Sequence, residues 1–276
     1  MKLVKIIVRR IIRGISGIRF QGFWNKIYNI SLLGMNLGGG GYYDDSGEKY
    51  VMRYIRDCVI RNNHPIIFDV GANIGGYTNE LLKYIKNGEV HCFEPALHTF
   101  QTLCRNVKAS NVVFNNIGIS GECSKSVLYY DKENSGLASL YKRDLDYYNI
   151  DFAKSETIEL ETIDHYCAEK KIKVIDFLKM DIEGNEWNAL QGGKRMLYQN
   201  RIGAIQIEFG GCNIDARIFF RDFWNFLHDK FFVYRIVRDG LYQIKKYDER
   251  LECFACSNYL FVNKKRVGKK YIKSAS

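Results

Sequence analysis

Proline is nearly absent from this chain of 276 residues: only Pro65 and Pro95 occur, and both stand at the boundaries of apolar runs. No internal repeat is present, and no low-complexity tract apart from the glycines at 38–41. No run of about 18 apolar residues occurs, so no helix is expected to span a membrane. The apolar start is interrupted by Arg9, Arg10 and Arg13, and no small-residue cleavage site follows, which speaks against a secretory signal. The eight cysteines form no framework. Cys253 and Cys256 are the one close pair, and neither a second pair nor a histidine cluster completes a zinc site, so no metal is assigned to them. What remains is a cytoplasmic globular protein, long enough for one large α/β domain with an appendage.

Acidic residues are missing from both ends. Residues 1–41 carry seven Lys or Arg and residues 264–276 carry six, with no Asp or Glu in either, which leaves 28 basic against 31 acidic residues between them. The net charge of +10 is therefore terminal. A nucleic-acid enzyme would more usually carry its basic stripe across the catalytic face, so no nucleic-acid partner is expected. Within residues 2–20, Lys2, Lys5, Arg9, Arg13 and Ser16 share one helical face, and Val4, Ile7, Val8, Ile11, Ile15 and Ile18 share the other. Such a segment, taken as residues 1–33, either attaches the protein peripherally to an anionic inner membrane surface or packs its apolar face on the body. One-sided charge does not decide between the two.

The richest stretch is Ile67-Phe-Asp-Val-Gly-Ala-Asn-Ile-Gly-Gly-Tyr77. The apolar run before it predicts a buried strand ending at Asp69. Gly71, Gly75 and Gly76 allow a tight turn and close approach to a ligand before a helix begins near Tyr77. A helix N-terminus there offers free N–H groups to an anion. A second strand at 89–93 ends in Glu94, where a carboxylate can accept both hydroxyls of a ribose. The dinucleotide spacing G-x-G-x-x-G is missing, and Asp69 would repel a phosphate but can pair with an amino group. S-adenosylmethionine has the amino group, carboxylate and ribose, and no phosphate. The competing reading is a strand–turn–helix whose glycines only solve a packing problem.

From Pro65 onward strands and helices alternate, which predicts a mostly parallel sheet with crossover helices. The expected strands are 65–70, 89–93, 112–115, 174–180 and 202–208, with helices at 77–85, 96–106, 162–170, 186–198 and 219–229. Residues 126–130 and 157–160 read as extra strands flanking a polar insertion, and 231–237 and 259–262 as an antiparallel edge addition. The expected division is a basic N-terminal segment and glycine joint at 1–41, one domain at 42–263, and a basic tail at 264–276. Ligands in such sheets sit beyond the carboxyl ends of the strands. Two further ends carry acids there: Lys179-Met-Asp-Ile-Glu-Gly-Asn-Glu186 and Ile205-Gln-Ile-Glu208. Asp181, Glu183 or Glu208 could take a proton from a hydroxyl acceptor, or serve as helix-cap partners like Glu186. Asp181 and Glu208 could instead hold a divalent ion, although no dedicated metal site is assigned. His165 reads as a surface residue.

These blocks resemble the FkbM-type S-adenosylmethionine-dependent methyltransferases. The resemblance rests on Phe68-Asp-Val-Gly-Ala-Asn-Ile-Gly75, Cys92-Phe-Glu-Pro95, Leu178-Lys-Met-Asp-Ile-Glu-Gly184 and Ile207-Glu208. It implies a class I (Rossmann-like) methyltransferase fold, S-adenosylmethionine as cofactor, and methylation of a hydroxyl on a glycan, such as a cell-surface polysaccharide or its lipid-linked precursor, or on a natural product. Carried over residue by residue, Asp69, Gly71, Asn73 and Glu94 match the cofactor site, and Asp181 and Glu183 the acidic motif beside the transferred methyl group; the reading of the turn and strand ends adds Gly75 and Asp181 to the cofactor contacts and Glu208 to the catalytic candidates. Asn116 stands where this fold commonly holds the adenine, and Ser135, Gly136 and Ser139 match a segment facing cofactor or acceptor. The rival classes are a nicotinamide-dependent oxidoreductase and a catalytically silent membrane-associated scaffold of the same fold.

Overall fold

A computed structural model describes residues 9–10, 12–38 and 46–266. Residues 1–8 and 11 of the amphipathic segment, most of the glycine joint, and the tail beyond Arg266 lie outside the described residues. Two helices come first, α1 (Gln21–Gly34) and α2 (Glu48–Tyr54). Then β1 (Ile66–Val70), α3 (Gly76–Tyr84), β2 (Glu89–Phe93), α4 (Leu97–Asn106) and β3 (Val112–Asn115) alternate. A short excursion follows, β4 (Gly118–Ile119), β5 (Ser124–Tyr130) and β6 (Lys154–Glu161). The chain returns through α5 (Ile163–Glu169), β7 (Ile175–Met180), α6 (Glu186–Gly192), α7 (Lys194–Tyr198) and β8 (Ile202–Phe209). It ends in α8 (Cys212–Ala216), α9 (Phe220–Leu227), β9 (Phe231–Val237), β10 (Gly240–Ile244) and β11 (Ser257–Asn263).

Eight strands form one sheet in the order β10-β9-β11-β8-β7-β1-β2-β3. The run from β3 to β8 is parallel throughout. β11 runs antiparallel to both β8 and β9, and β10 closes a hairpin on β9. The antiparallel addition thus lies where expected, but β11 is inserted inside it, because it is apolar on both faces: Tyr259 and Phe261 join one core, Leu260 and Val262 the other.

The same alternation explains the three layers. Ile67, Phe177 and Ala204 face a core covered by Val51 and Met52 of α2, Leu81 of α3 and Leu103 of α4. Phe68, Leu178 and Ile205 face the opposite core, covered by Tyr166 of α5, Leu190 of α6, Leu197 of α7 and Phe223 of α9. The single helix expected over 186–198 is divided at Gly193, which lies tight against Ile163. The extra strands form a second sheet, β4-β6-β5, enclosing a small apolar cluster of Ala96, Leu128, Ile158 and Leu160.

α1 stands apart from both cores. None of its residues is buried, and Phe23, Ile27, Ile30 and Leu33 are all exposed. It is tied to the body through residues 36–38: Asn36 Nδ2 donates to the Ile236 carbonyl at 3.2 Å, and the Gly38 N–H donates to the Cys256 carbonyl at 2.8 Å. Its apolar side chains therefore do not complete the core.

Candidate active site

β1 has β2 on one side and β7 on the other, and the helices that follow β1 and β7 pack on opposite faces of the sheet. The backbone diverges there, so a crevice opens at the carboxyl ends of these strands. It is a narrow cleft, half open to solvent, with polar groups and an apolar wall converging on it. Gly71, Asn73, Glu94, Asp181 and Glu183 line it, and Phe93, Ile119, Leu128, Ile158 and Leu160 give it an apolar wall. The second sheet supplies much of that wall, and the segment carrying Ser135 and Gly136 closes its side.

Two glycines of the turn also solve packing problems. Gly71 has φ +78°, and a Cβ there would lie 1.9 Å from the Asp181 carbonyl oxygen, so it lets the turns after β1 and β7 cross. Gly75 has φ +88°, and its Cβ would meet Val107 at 2.5 Å and Leu103 at 2.9 Å. It seats α3 against the end of α4 and is not among the residues lining the cleft. Between them Asn73 takes φ +48°, a conformation asparagine tolerates better than most residues. Its Oδ1 accepts the Ile74 N–H at 2.6 Å and its Nδ2 donates to the Ser135 carbonyl at 2.9 Å, which ties the turn to the serine segment.

Glu94 is buried on the cleft wall. One carboxylate oxygen accepts the Asn73 N–H and the other the Ala96 N–H, each at 3.0 Å. Each oxygen keeps lone pairs for a further donor such as a ribose hydroxyl. Burial pushes this carboxyl up to about 7 against the pull of the two N–H groups. Asn116 is not on the wall: its Nδ2 donates to the Glu94 and Pro95 carbonyls at 2.9 Å each, so it holds the loop after β2 in shape.

Asp69 also lies off the cleft, fully buried. Thr78 donates to one of its oxygens at 2.6 Å, and the Lys179 ammonium stands 3.6 Å from the other, which makes no hydrogen bond. In the structure the cation beside Asp69 is a lysine of the protein. Lys179 also reaches Asp181 at 3.3 Å and sits 4.8 Å from the centre of the Tyr77 ring. Burial works against its charge, but Asp181, Asp69 and Glu48 outweigh it and hold the ammonium above its ordinary range. Of this group only Asp181 opens on the cleft, with its side chain 37% exposed.

The other acids divide by role. Glu186 is fully buried at the start of α6 and accepts the Ile182 and Gly184 N–H groups at 2.8 and 3.0 Å, a structural cap. Glu183 has φ +52° and lines the cleft, where Arg143 Nη1 donates to it at 2.6 Å. Burial and the Asp181 charge push it up to about 8, with Arg143 pulling the other way. Arg143 also reaches Asp215 at 3.4 Å. Glu208 stands off the cleft wall and accepts from Cys256 Sγ at 2.9 Å; burial, then Asp181 and Glu183, raise it well above the carboxylate range. Asp181, Glu183 and Glu208 nevertheless converge, each offering an oxygen within 4.8 Å of the others. Ser139 Oγ donates to the Glu183 carbonyl at 2.7 Å, so it braces the acid loop. His165 is exposed and bonded to Glu161 at 2.8 Å, and Cys253 and Cys256 are unbridged.

Arg143, Lys179 and Asn185 were not singled out by residue pattern. Lys179 carried a readable signal, a charge inside a strand apolar on both faces, which requires a buried partner. Asn185 anchors the acid loop by donating to the Ile119 carbonyl at 3.0 Å. Arg143 reaches the site from an irregular insertion, and no local spacing announces it.

Residues 69–236 match the model of the methyltransferase FkbM domain, and the chain belongs to that family. It is 29% identical over 143 residues to Methyltransferase 1 of Beauveria bassiana, a match covering 46% of this chain and 57% of that protein. It is 24% identical over 148 residues to the 2-O-methyltransferase NoeI of Sinorhizobium fredii, covering 50% and 60%. The chain thus spans about three fifths of the length of these curated relatives. Among solved structures, an rRNA-methylase described as putative from Clostridium thermocellum superposes with a TM-score of 0.41 at 11% identity, over 79% of this chain and 96% of that one.

Proposed function

We propose that this chain is an S-adenosylmethionine-dependent O-methyltransferase acting on a hydroxyl of a glycan or natural product. The observation that carries the reading is the meeting of Glu94 with Asp181 and Glu183 at one cleft, at the point where the strand order reverses. The residues fit the cofactor. Glu94 would hold the ribose hydroxyls, the apolar wall at Phe93, Ile119 and Leu160 the adenine, and Asp181 the amino group. When bound, S-adenosylmethionine supplies an electrophilic methyl group on a sulfonium. The chain's own contribution is alignment and one proton transfer. Glu183 takes the acceptor hydroxyl's proton; a carboxyl held near 8 is matched to that task at mildly alkaline pH, and Arg143 steadies its ionised form. Asp181, held 3.3 Å from the Lys179 ammonium, is oriented to face a cationic donor in the cleft.

Two things support a hydroxyl acceptor: the chemistry of a carboxylate base, and the name of the 2-O-methyltransferase relative. The proposed setting is an anionic membrane surface, reached through α1 and the basic segment before it. No helix among the described residues is long and apolar enough to cross a membrane. The test is methyl transfer from isotopically labelled donor to hydroxyl-bearing sugar acceptors by wild type and Glu183→Gln. Turnover should fall by roughly 10²–10⁴-fold in the variant with donor binding kept; near-full turnover would remove Glu183 as base. Turnover abolished by chelator and restored by magnesium would shift the role to a metal held by Asp181, Glu183 and Glu208.

A further inference from the structure

We propose that the groove between the end of α1 and the β9–β10 hairpin seats the phosphate headgroup of an anionic bilayer lipid, with α1 lying along the bilayer. The inference deepens the membrane setting just proposed and rests on it. The groove is wide and open to solvent. Leu33 and Met35 form one wall, and Arg235, Arg238 and Tyr242 the other. Arg235 and Tyr242 are opposite one another across the β9–β10 pairing, with the guanidinium 5.1 Å from the ring centre. The Arg235 Nε is buried and makes no hydrogen bond, and neither arginine forms an ion pair among the described residues. Among the described residues Asp239 is the one acid on the groove, against the two arginines. Arg235, half-buried on the Tyr242 ring, and the exposed Arg238 have no carboxylate partner among the described residues, so they suit an anion with several acceptor oxygens, and phosphate matches the guanidinium fork.

The apolar wall says what carries that phosphate. Phe20, Phe23, Ile27 and Ile30 follow helical spacing, remain exposed, and lead along α1 to Leu33 on the groove itself. A free phosphate would leave this stripe in water. A lipid covers both parts at once, with acyl chains along the stripe and the headgroup at the arginines. Arg9, Arg10, Arg13, Arg19 and Lys26 accompany the stripe, with no acid before Asp44, so an anionic bilayer complements the whole arm. The arm joins the body at Cys256, whose Sγ bonds Glu208 of the acid cluster. Docking would therefore place the catalytic rim near the membrane.

The test is co-sedimentation of the full chain with vesicles of phosphatidylcholine alone and of phosphatidylcholine with phosphatidylglycerol. Wild type should sediment with the mixed vesicles only. Arg235→Gln with Arg238→Gln should weaken that binding at least tenfold while S-adenosylhomocysteine affinity stays unchanged. Arg238→Gln alone, at an exposed position, supplies the answer should the double variant unfold, with a weakening of severalfold. Unchanged vesicle binding in these variants, with binding lost in Phe23→Asp and Ile30→Asp, would overturn the headgroup site and leave membrane attachment standing. Wild type failing to sediment would overturn both. An Arg-dependent rise in melting temperature with inorganic phosphate, without vesicle binding, would assign the groove to a free anion and overturn the lipid.

Discussion

Replacing Lys179 by Met tests the buried charge network most sharply. The ammonium lies 3.6 Å from Asp69 and 3.3 Å from Asp181, and the two carboxylates differ in what happens once it is gone. Asp181 is 37% exposed and can be rehydrated, whereas Asp69 is fully buried and keeps only the Thr78 hydroxyl. At an effective dielectric of about 20, a unit charge pair at this separation is worth roughly 4–5 kcal/mol. Stranding one partner of a buried pair typically costs about 3–5 kcal/mol. Lys179→Met should therefore lower the unfolding free energy by about that amount, a large part of the total for a domain of this kind. Adding Asp69→Asn removes the stranded charge, so the double variant should recover roughly 2 kcal/mol or more relative to the sum of the single losses. Urea unfolding followed by circular dichroism, with midpoints and slopes fitted for all four proteins, reads the cycle. A single-variant cost below about 1 kcal/mol, or additive costs, would refute the network.

Gly75→Ala should cost about 1–3 kcal/mol, since its φ of +88° is strained for any L side chain, yet leave S-adenosylhomocysteine affinity within about twofold; a calorimetric loss larger than that would return Gly75 to the cofactor site. Arg143→Gln removes the cation that pulls Glu183 down, so the rising limb of the kcat–pH profile should move to higher pH, and an unmoved limb would detach Arg143 from the base. Glu94, Glu183 and Glu186 are raised to about 7, 8 and 8, so the folded state binds more protons than the unfolded one between about 4.5 and 8. Their contribution to ligand-free stability is therefore greatest at the acid end and falls as pH rises through that window. Melting scans of wild type against Glu186→Gln should show the variant losing less stability between pH 5 and 8, and parallel curves would contradict the assignment.

The sheet was legible because its central strands are short apolar runs ending in acids, a pattern that survives without tertiary information. Glu94 and the acid loop at Asp181 and Glu183 were legible for the same reason, since each follows a strand directly. Asp69 shows where that logic stops. A carboxylate at a strand end points toward a ligand or toward a neighbouring strand, and only the pairing of β1 with β7 brings Lys179 within reach of it. Gly75 and Asn116 were placed by motif position, but their surroundings depend on how α4 and the β2 loop pack. The amphipathic pattern was read most clearly over 2–20, and α1 beyond it carries a weaker signal because, apart from Lys26, its polar residues are Gln, Gly, Asn and Ser rather than charges. Arg143 comes from an insertion without periodicity, so nothing local relates it to Glu183 forty positions away.

The central claim is that the cleft between Glu94 and Asp181 binds the methyl donor, and calorimetric titration with S-adenosylhomocysteine tests it most directly. Wild type should bind, NAD should give no binding heat, and Asp181→Asn should weaken affinity roughly ten- to hundredfold, the cost of a lost charge-assisted hydrogen bond. Asp69→Asn, off the cleft, should change stability and leave affinity nearly unaltered. Binding of NAD in place of S-adenosylhomocysteine, or an affinity untouched by Asp181→Asn and abolished by Asp69→Asn, would contradict the account.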